Sequence, residues 1–339
     1  KSLIFNEFSL DDLQISTNYI KLEDLILLAR YLKNSTQLFL LDRLIKDGSL
    51  AADINLKFDE KGNIKKDYQV TGHIKNVKLN FLNKVRVSDL NLEFEIKEKK
   101  YSLMKAKGVV NKIKLSSPLF EIYQKKDQFS IKGKILTDKQ ELNGNQLSMM
   151  SDIFLNDLNI EKVRFNSENN IYFNISKKLK IKDMDIRSKI NLNQLVIKND
   201  LISLKSYLPN LKEVIDFQKH KITINYNKKK IDIKGSGKIL VKDKFDLIDY
   251  ELIKNNDKLS FNTKANFKNN KLLIDFLDYE KKENLEASIN IKGSFKKNDL
   301  INFDLASLIS KDNTILFKNL NLSKDLKLIS IDSFKFNYL

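Results

Sequence analysis

The chain has 339 residues, of which 42% are hydrophobic and 9% aromatic, enough apolar material for a packed fold and too much for wholesale disorder. Cysteine is absent, which excludes a disulfide framework and a thiolate metal site, and two prolines with nine glycines leave no Pro-rich or collagen-like tract. The formal charge of +17, from 61 Lys and Arg against 44 Asp and Glu, favours anionic partners if the basic residues gather, and a solvated face if they scatter.

They scatter. Lys75, Lys78, Lys112, Lys114, Lys132, Lys134, Lys180 and Lys182 take alternate, outward strand positions, whereas a nucleic-acid site would collect Arg and aromatics on one patch. Nucleic acid is not expected as a partner. No run approaches the roughly 18 apolar residues of a membrane span, and no signal peptide is visible. Beginning at Lys1 rather than Met, the chain reads as a piece of something longer.

Residues 1–21 carry two short apolar runs, Leu3-Ile4-Phe5 and Phe8 to Ile15, that predict a leading strand or hairpin. Leu22, Leu25, Ile26, Ala29 and Leu32 keep i, i+3, i+4 spacing and predict an amphipathic helix. Asn34-Ser35-Thr36 breaks it and offers an N-cap to a second helix, whose stripe Leu38, Leu41, Leu44, Ile45 is closed by Gly48 as a C′ glycine. The period then changes from about 3.6 to 2. Ser49 to Phe58 alternates, Asp59 to Asn63 turns the chain, and Tyr68 to Phe81 alternates again; about seven strands are predicted up to Thr137. Parity slips at Ser88-Asp89 and near Gly108 predict β-bulges. Asp138 to Ser151 reads as a polar loop, after which strands resume at Ile153-Leu155 and run through Leu192.

At Asn199 the same order returns, offset by about 165 residues: a helical stripe over 201–218, with Pro209 placed to start a second helix, then strands from Ile222 to the C-terminus. The expected organisation is therefore a leading element over 1–21, a helix with a first β repeat over 22–198, and a helix with a second over 199–339. Gly72, Gly108, Gly133, Gly235 and Gly293 recur between apolar strand positions, either as unrelated bulges or as a repeated kink that curves one sheet.

No HExxH, GxSxG or Walker A pattern occurs, and His73 and His220 stand far apart. The Asp and Glu residues alternate outward among lysines, as cross-strand ion pairs do. No catalysis, metal or cofactor is expected. Some 18 to 20 strands exceed what a flat twisted sheet sustains, so the apolar face is either closed in sandwiches or left open in a trough. An open trough suits acyl chains, since a long apolar surface signals a binding site. Its expected lining is Ile54, Leu56, Phe58, Val70, Ile74, Leu92, Phe94, Ile131, Ile135, Ile231, Ile233, Phe261, Ile289 and Ile291.

YLKNSTQLFLLDRLIKDG, the strand SLAADINLKF, the phrase YQVTGHIKNVKLNF, and VSDLNLEFEI with GVVNKIKLSS together resemble the AsmA-like superfamily of bacterial envelope proteins, in its YhdP and TamB branch. The resemblance implies a mainly β fold, a long curved antiparallel sheet forming an elongated taco-like groove with a few short amphipathic helices. It also implies a periplasmic place, anchored in the inner membrane through a segment not present here, and phospholipid conducted along the groove between inner and outer membranes. Envelope proteins at either end are the candidate protein partners. The competing expectation is a structural β-rich envelope scaffold of closed sandwiches with no conduit.

Overall fold

A computed structural model describes residues 11–32, 36–81, 85–148, 159–176, 178, 180–198, 212–227, 229–240, 244–274, 277–296, 300–311, 313–323 and 327–337. About three-quarters of the described residues are in strands. Among the described residues, 19 strands belong to one antiparallel sheet and two short strands pair by themselves. The helices are few and short.

The chain opens with β1 (Asp12–Ser16) and β2 (Ile20–Lys21), then α1 (Leu22–Leu32) and α2 (Thr36–Leu44). A run of long strands follows: β3 (Ile45–Lys57), β4 (Gln69–Phe81), β5 (Val85–Lys97), β6 (Lys100–Val110), β7 (Ile113–Gln124) and β8 (Gln128–Leu142). After α3 (Gly144–Ser148) come β9 (Ile160–Ser176), β10 (Ile181–Lys198), β11 (Val214–Asn227), β12 (Lys230–Leu240), β13 (Phe245–Asn255) and β14 (Lys258–Asn266). The small pair β15 (Leu272–Ile274) and β16 (Tyr279–Lys281) interrupts before β17 (Ser288–Lys296), β18 (Ile301–Ser310), β19 (Asn313–Leu322), β20 (Leu328–Ser330) and β21 (Ser333–Asn337). From β3 to β8 and from β10 to β14 each strand pairs antiparallel with the next; most of the connections are two to four residues long, while residues 58–68 join β3 to β4 and residues 199–213 join β10 to β11. β1 and β2 both lie against β3; β14 skips to β17, and β19 receives both β20 and β21.

Two compact units result. The first holds residues 1–137 and 170–183; the second holds 138–169 and 184–339, so β8, β9 and β10 contribute to both. In the first unit α1 buries Leu22 and Ile26, four residues apart on its inner stripe, against β3. Arg30 of α1 pairs with Asp42 of α2, and the Arg30 and Arg43 guanidinium groups lie 5.5 and 4.9 Å from the Phe39 ring centroid.

Several expectations need correcting. Gly48 does not cap α2, which ends at Leu44; it lies inside β3 at φ 135°, where the register shifts on both sides of Asp47. A Cβ there would sit 3.0 Å from the Val77 backbone and 3.1 Å from Leu22, so the position has neither the dihedral nor the room for a side chain. Asp138 to Leu142 is not loop but the end of β8, and 144–148 is α3. The polar strand end is explained by Glu141, whose carboxylate meets Lys162 at 3.1 Å and Arg164 at 2.6 Å. Val214 and Ile215, expected in a helix, begin β11. Residues 216–218 continue that strand, while residues 201–211 of the expected helix, the runs from Leu3 to Leu10 and the strand at Ile153-Leu155 lie outside the described residues.

The predicted bulge at Ser88-Asp89 is present, with Asp89 at φ 53°; the slip near Gly108 centres on Lys105, at φ 50°. The turn after β3 is tied by the Asp59 carboxylate, which accepts from the backbone N–H of Lys61 and of Asn63 at 2.9 and 2.8 Å.

Candidate functional site

Directly opposed residues in an antiparallel pair share a face, so the pairing registers trace rows across each unit. In the first unit one row runs Ile54, Val70, Ile96, Tyr101, Ile122, Ile131, and the next Ala52, Gly72, Phe94, Leu103, Phe120, Gly133. Leu50, Ile74 and Leu92 begin a third. Ala52, Leu92 and Phe94 form a buried cluster there, with Ile54, Val70, Ile74 and Ala106 against it. Leu56 stands opposite Leu13, and Phe58 bridges to Ile64 at the end of the strand. Ile135 lines an apolar depression of about 150 Å³ with Leu90, Ala106 and Phe120.

The second unit carries four rows. They run Tyr226, Ile231, Lys254, Leu259, Phe295, Ile301, Leu322; then Ile224, Ile233, Leu252, Phe261, Gly293, Phe303, Leu320; then Ile222, Gly235, Tyr250, Thr263, Ile291, Ala306, Phe317, Phe334; and last Ile248, Ala265, Ile289, Leu308, Ile315, Phe336. Ile222, Ile224, Ile233, Leu252, Phe261, Ile291, Phe303 and Leu320 are only half-buried, and Phe295 and Phe334 are exposed. This is a contiguous apolar surface of branched and aromatic side chains that keeps part of its area open. The residues expected to line a trough thus fall on the apolar face within each unit.

None of the recurring glycines has a positive φ, and Gly293 stands at a register shift between β17 and β18. Each of four is the seat of an aromatic ring from the strand opposite: Phe94 over Gly72, Phe120 over Gly133, Tyr250 over Gly235 and Phe261 over Gly293. The ring fills the volume a Cβ would take; at Gly72 and Gly293 that Cβ would come within 2.7 and 2.8 Å of the ring. His220 covers Gly237 in the same way, while Gly108 lies under Leu90. Phe94 and Phe261 were among the expected lining residues; Tyr250 and Phe120 were missed, because their placement over the glycines follows from strand register and not from alternation.

His220 is 1% exposed, and its Nε2 lies 2.9 Å from the Lys238 carbonyl oxygen. The carbonyl can only accept, so Nε2 carries the proton and Nδ1 is a bare acceptor without a partner. Burial pushes the imidazole below its ordinary value; burial also pushes the neighbouring Tyr250 hydroxyl up to about 12. The Phe217 and Tyr250 rings stand 5.5 and 5.7 Å away.

The opposite face is polar and paired. Glu121 lies between Lys100 at 2.8 Å and Lys132 at 3.0 Å, and the hydrogen bonds from Lys100, Lys132 and the Tyr123 hydroxyl hold its carboxyl down to about 2. Lys234 pairs with Glu251 at 2.8 Å, and Lys57 with Asp67 at 2.9 Å. The wider depression on this face, about 420 Å³ among Lys221, Thr223, Lys234, Ser236, Tyr250 and Glu251, is an open crevice between long side chains. His73 points to water here. Among the described residues no three His, Asp or Glu side chains gather in a way that could hold a metal ion, and no helix is long and apolar enough to cross a membrane.

No family model matches the chain, and neither a curated protein nor a solved structure does.

Proposed function

We propose that this chain binds lipid acyl chains along the apolar rows of its sheet and passes phospholipid along them. In this reading it is a groove protein of the AsmA-like kind, serving in the periplasm between inner and outer membranes and anchored through a segment outside this chain. The observation that carries the proposal is the half-open state of the rows through Ile233 and Gly235. Apolar area left against water costs about 25 cal/mol per Å², and side chains of this size would be closed off in a finished core. A surface made mostly of branched and aromatic side chains, on which Lys254, Thr263 and the Tyr226 and Tyr250 hydroxyls are the polar exceptions, selects chiefly for chain apolarity and length. The polar face, with its cross-strand ion pairs, keeps the sheet wet on the other side. No catalytic step is assigned to any residue, and envelope proteins are the proposed neighbours at either end.

A closed scaffold is the second reading, and the buried cluster at Ala52, Leu92 and Phe94, 7%, 9% and 6% exposed, favours it. Mass spectrometry of lipids co-purifying with the chain from a bacterial envelope decides between them. Stoichiometric two-chain phospholipid is the expected result; a lipid-free chain that also takes up none from vesicles would leave the scaffold standing.

A further inference from the structure

The excursion between β14 and β17 is not a surface loop. Phe267 and Ala287 exchange backbone hydrogen bonds of 2.8 and 3.2 Å at its base, so the β14–β17 ladder closes beneath it. Beyond that base β15 and β16 lie down on the apolar face. Leu272 and Tyr279, 8% and 1% exposed, pack with Leu308 and Ile315, and Ile289, Phe317 and Phe336 border the cluster. Four of those five belong to the last of the four rows.

Buried polar groups fasten the hairpin. The Asp246 carboxylate, 2% exposed, accepts from the Lys268 and Asn269 backbone N–H groups at 3.0 and 2.8 Å, and from the Asn270 side chain. The Lys281 ammonium, also 2% exposed, donates to the carbonyls of Leu285 at 2.7 Å and Lys268 at 3.2 Å. The Ser310 hydroxyl donates to the Glu286 carbonyl at 2.9 Å. A charge taken out of water holds its place only where such partners meet it, so each contact fixes where the hairpin can sit. Connecting segments usually run over the surface in water; this one spends two buried ions on staying put.

We infer that the β15–β16 hairpin is a fixed wall along one margin of the apolar face. It admits acyl chains to the rows through Ile231, Ile233 and Gly235 and bars them from the row of Ile289, Leu308 and Ile315. The inference rests on the lipid reading above. It assigns the hairpin the task of setting how wide the acyl path is, which in turn sets how many chains lie side by side.

A phosphatidylethanolamine carrying a diazirine on one acyl chain, bound to the full chain and photolysed, reports which side chains the tails touch. Adducts are expected on Leu252, Ile291, Phe303 and Leu320 and none on Leu308 or Ile315. In a variant whose residues 268–286 are replaced by Asn-Gly, a turn that suits a two-residue hairpin, adducts should spread to Leu308 and Ile315. If that variant fails to fold, Leu272→Ser with Tyr279→Ser unseats the hairpin while leaving the ladder intact and serves the same purpose. Leu308 labelled in the parent as heavily as Phe303 overturns the wall, as does a row that stays unlabelled once the hairpin is gone or unseated. Absence of adducts at every position removes the lipid reading itself, and the wall with it.

Discussion

Each unit closes part of its apolar face and leaves the rest half-buried, but different segments do the closing. In the first, Ala52, Leu92 and Phe94 are closed into a cluster, and α1 covers the neighbouring end through Leu22 and Ile26. In the second, Ile233, Leu252 and Phe303 stay half-open beside the cluster closed under β15 and β16. The same alternating pattern wrote both. Alternation fixes which side of a strand is apolar; what lies over that side is decided by the segments that interrupt the strands.

An inward charge tests the contrast most strongly. Phe94→Asp strands a carboxylate in a closed cluster and should cost about 3–5 kcal/mol, the scale of an uncompensated buried charge. Ile233→Asp can stay hydrated on the open rows, so its melting temperature should remain near the parent's while bound lipid falls. Equal losses of stability in the two variants, read by thermal melting, would mean that the row at Ile233 is as closed as the cluster at Phe94.

The glycine seats give a smaller effect and a finer comparison. A methyl at Gly72 meets the Ala51 carbonyl as well as the Phe94 ring, and backbone cannot step aside; Gly72→Ala should cost about 1–3 kcal/mol in urea unfolding. At Gly235 the methyl meets only the far end of the Tyr250 ring, which can swing away. Gly235→Ala should therefore lower the urea midpoint less than Gly72→Ala. The reverse order would show that ring position, not backbone approach, limits these sites.

Acid should act on the second unit through His220. Its folded-state pKa is depressed by burial, so below the ordinary value of about 6.5 the unfolded chain takes up a proton that the folded chain resists. Stability is level above that pH and declines beneath it until the folded imidazole titrates too. His220→Gln should flatten the fall in melting temperature between pH 7 and pH 5; an unchanged slope would place the acid sensitivity elsewhere. The smallest effect is expected on the polar face. Changing Lys57, Lys78, Lys114 and Lys134 together to Glu should leave lipid occupancy where it was, and loss of lipid would give headgroup charge a part in binding.

Much of this was legible from residue order. Ile54, Val70 and Ile131 were expected on the apolar face, and the Ile231–Ile233 alternation was read in its correct strand. The α1 stripe was visible because its apolar residues recur at helical spacing. The failures have physical causes. Gly48 looked like a helix cap since a cap and a strand irregularity both ask for a positive φ, and only the neighbouring Val77 and Leu22 tell them apart. The segment Leu272 to Ile274 alternates like any other strand, so nothing local says that it leaves the main sheet. The clue lay in Asn269-Asn270 and in Lys281, polar residues at the ends of runs too short to stand alone. The aromatic seats required the register between strands, which a single chain of letters does not carry.

The pairing order has a consequence for how the molecule is made. From β3 to β8, and again from β10 to β14, every strand finds its partner in the next strand of the chain. Such contacts form hairpin by hairpin on the order of microseconds each, and stability accrues between neighbours much as it does in repeat proteins. Growth is then modular. Gaining or losing one hairpin changes the reach of the sheet by about 10 Å and leaves every earlier pairing as it was, so the span of such a chain is something evolution can adjust by simple duplication.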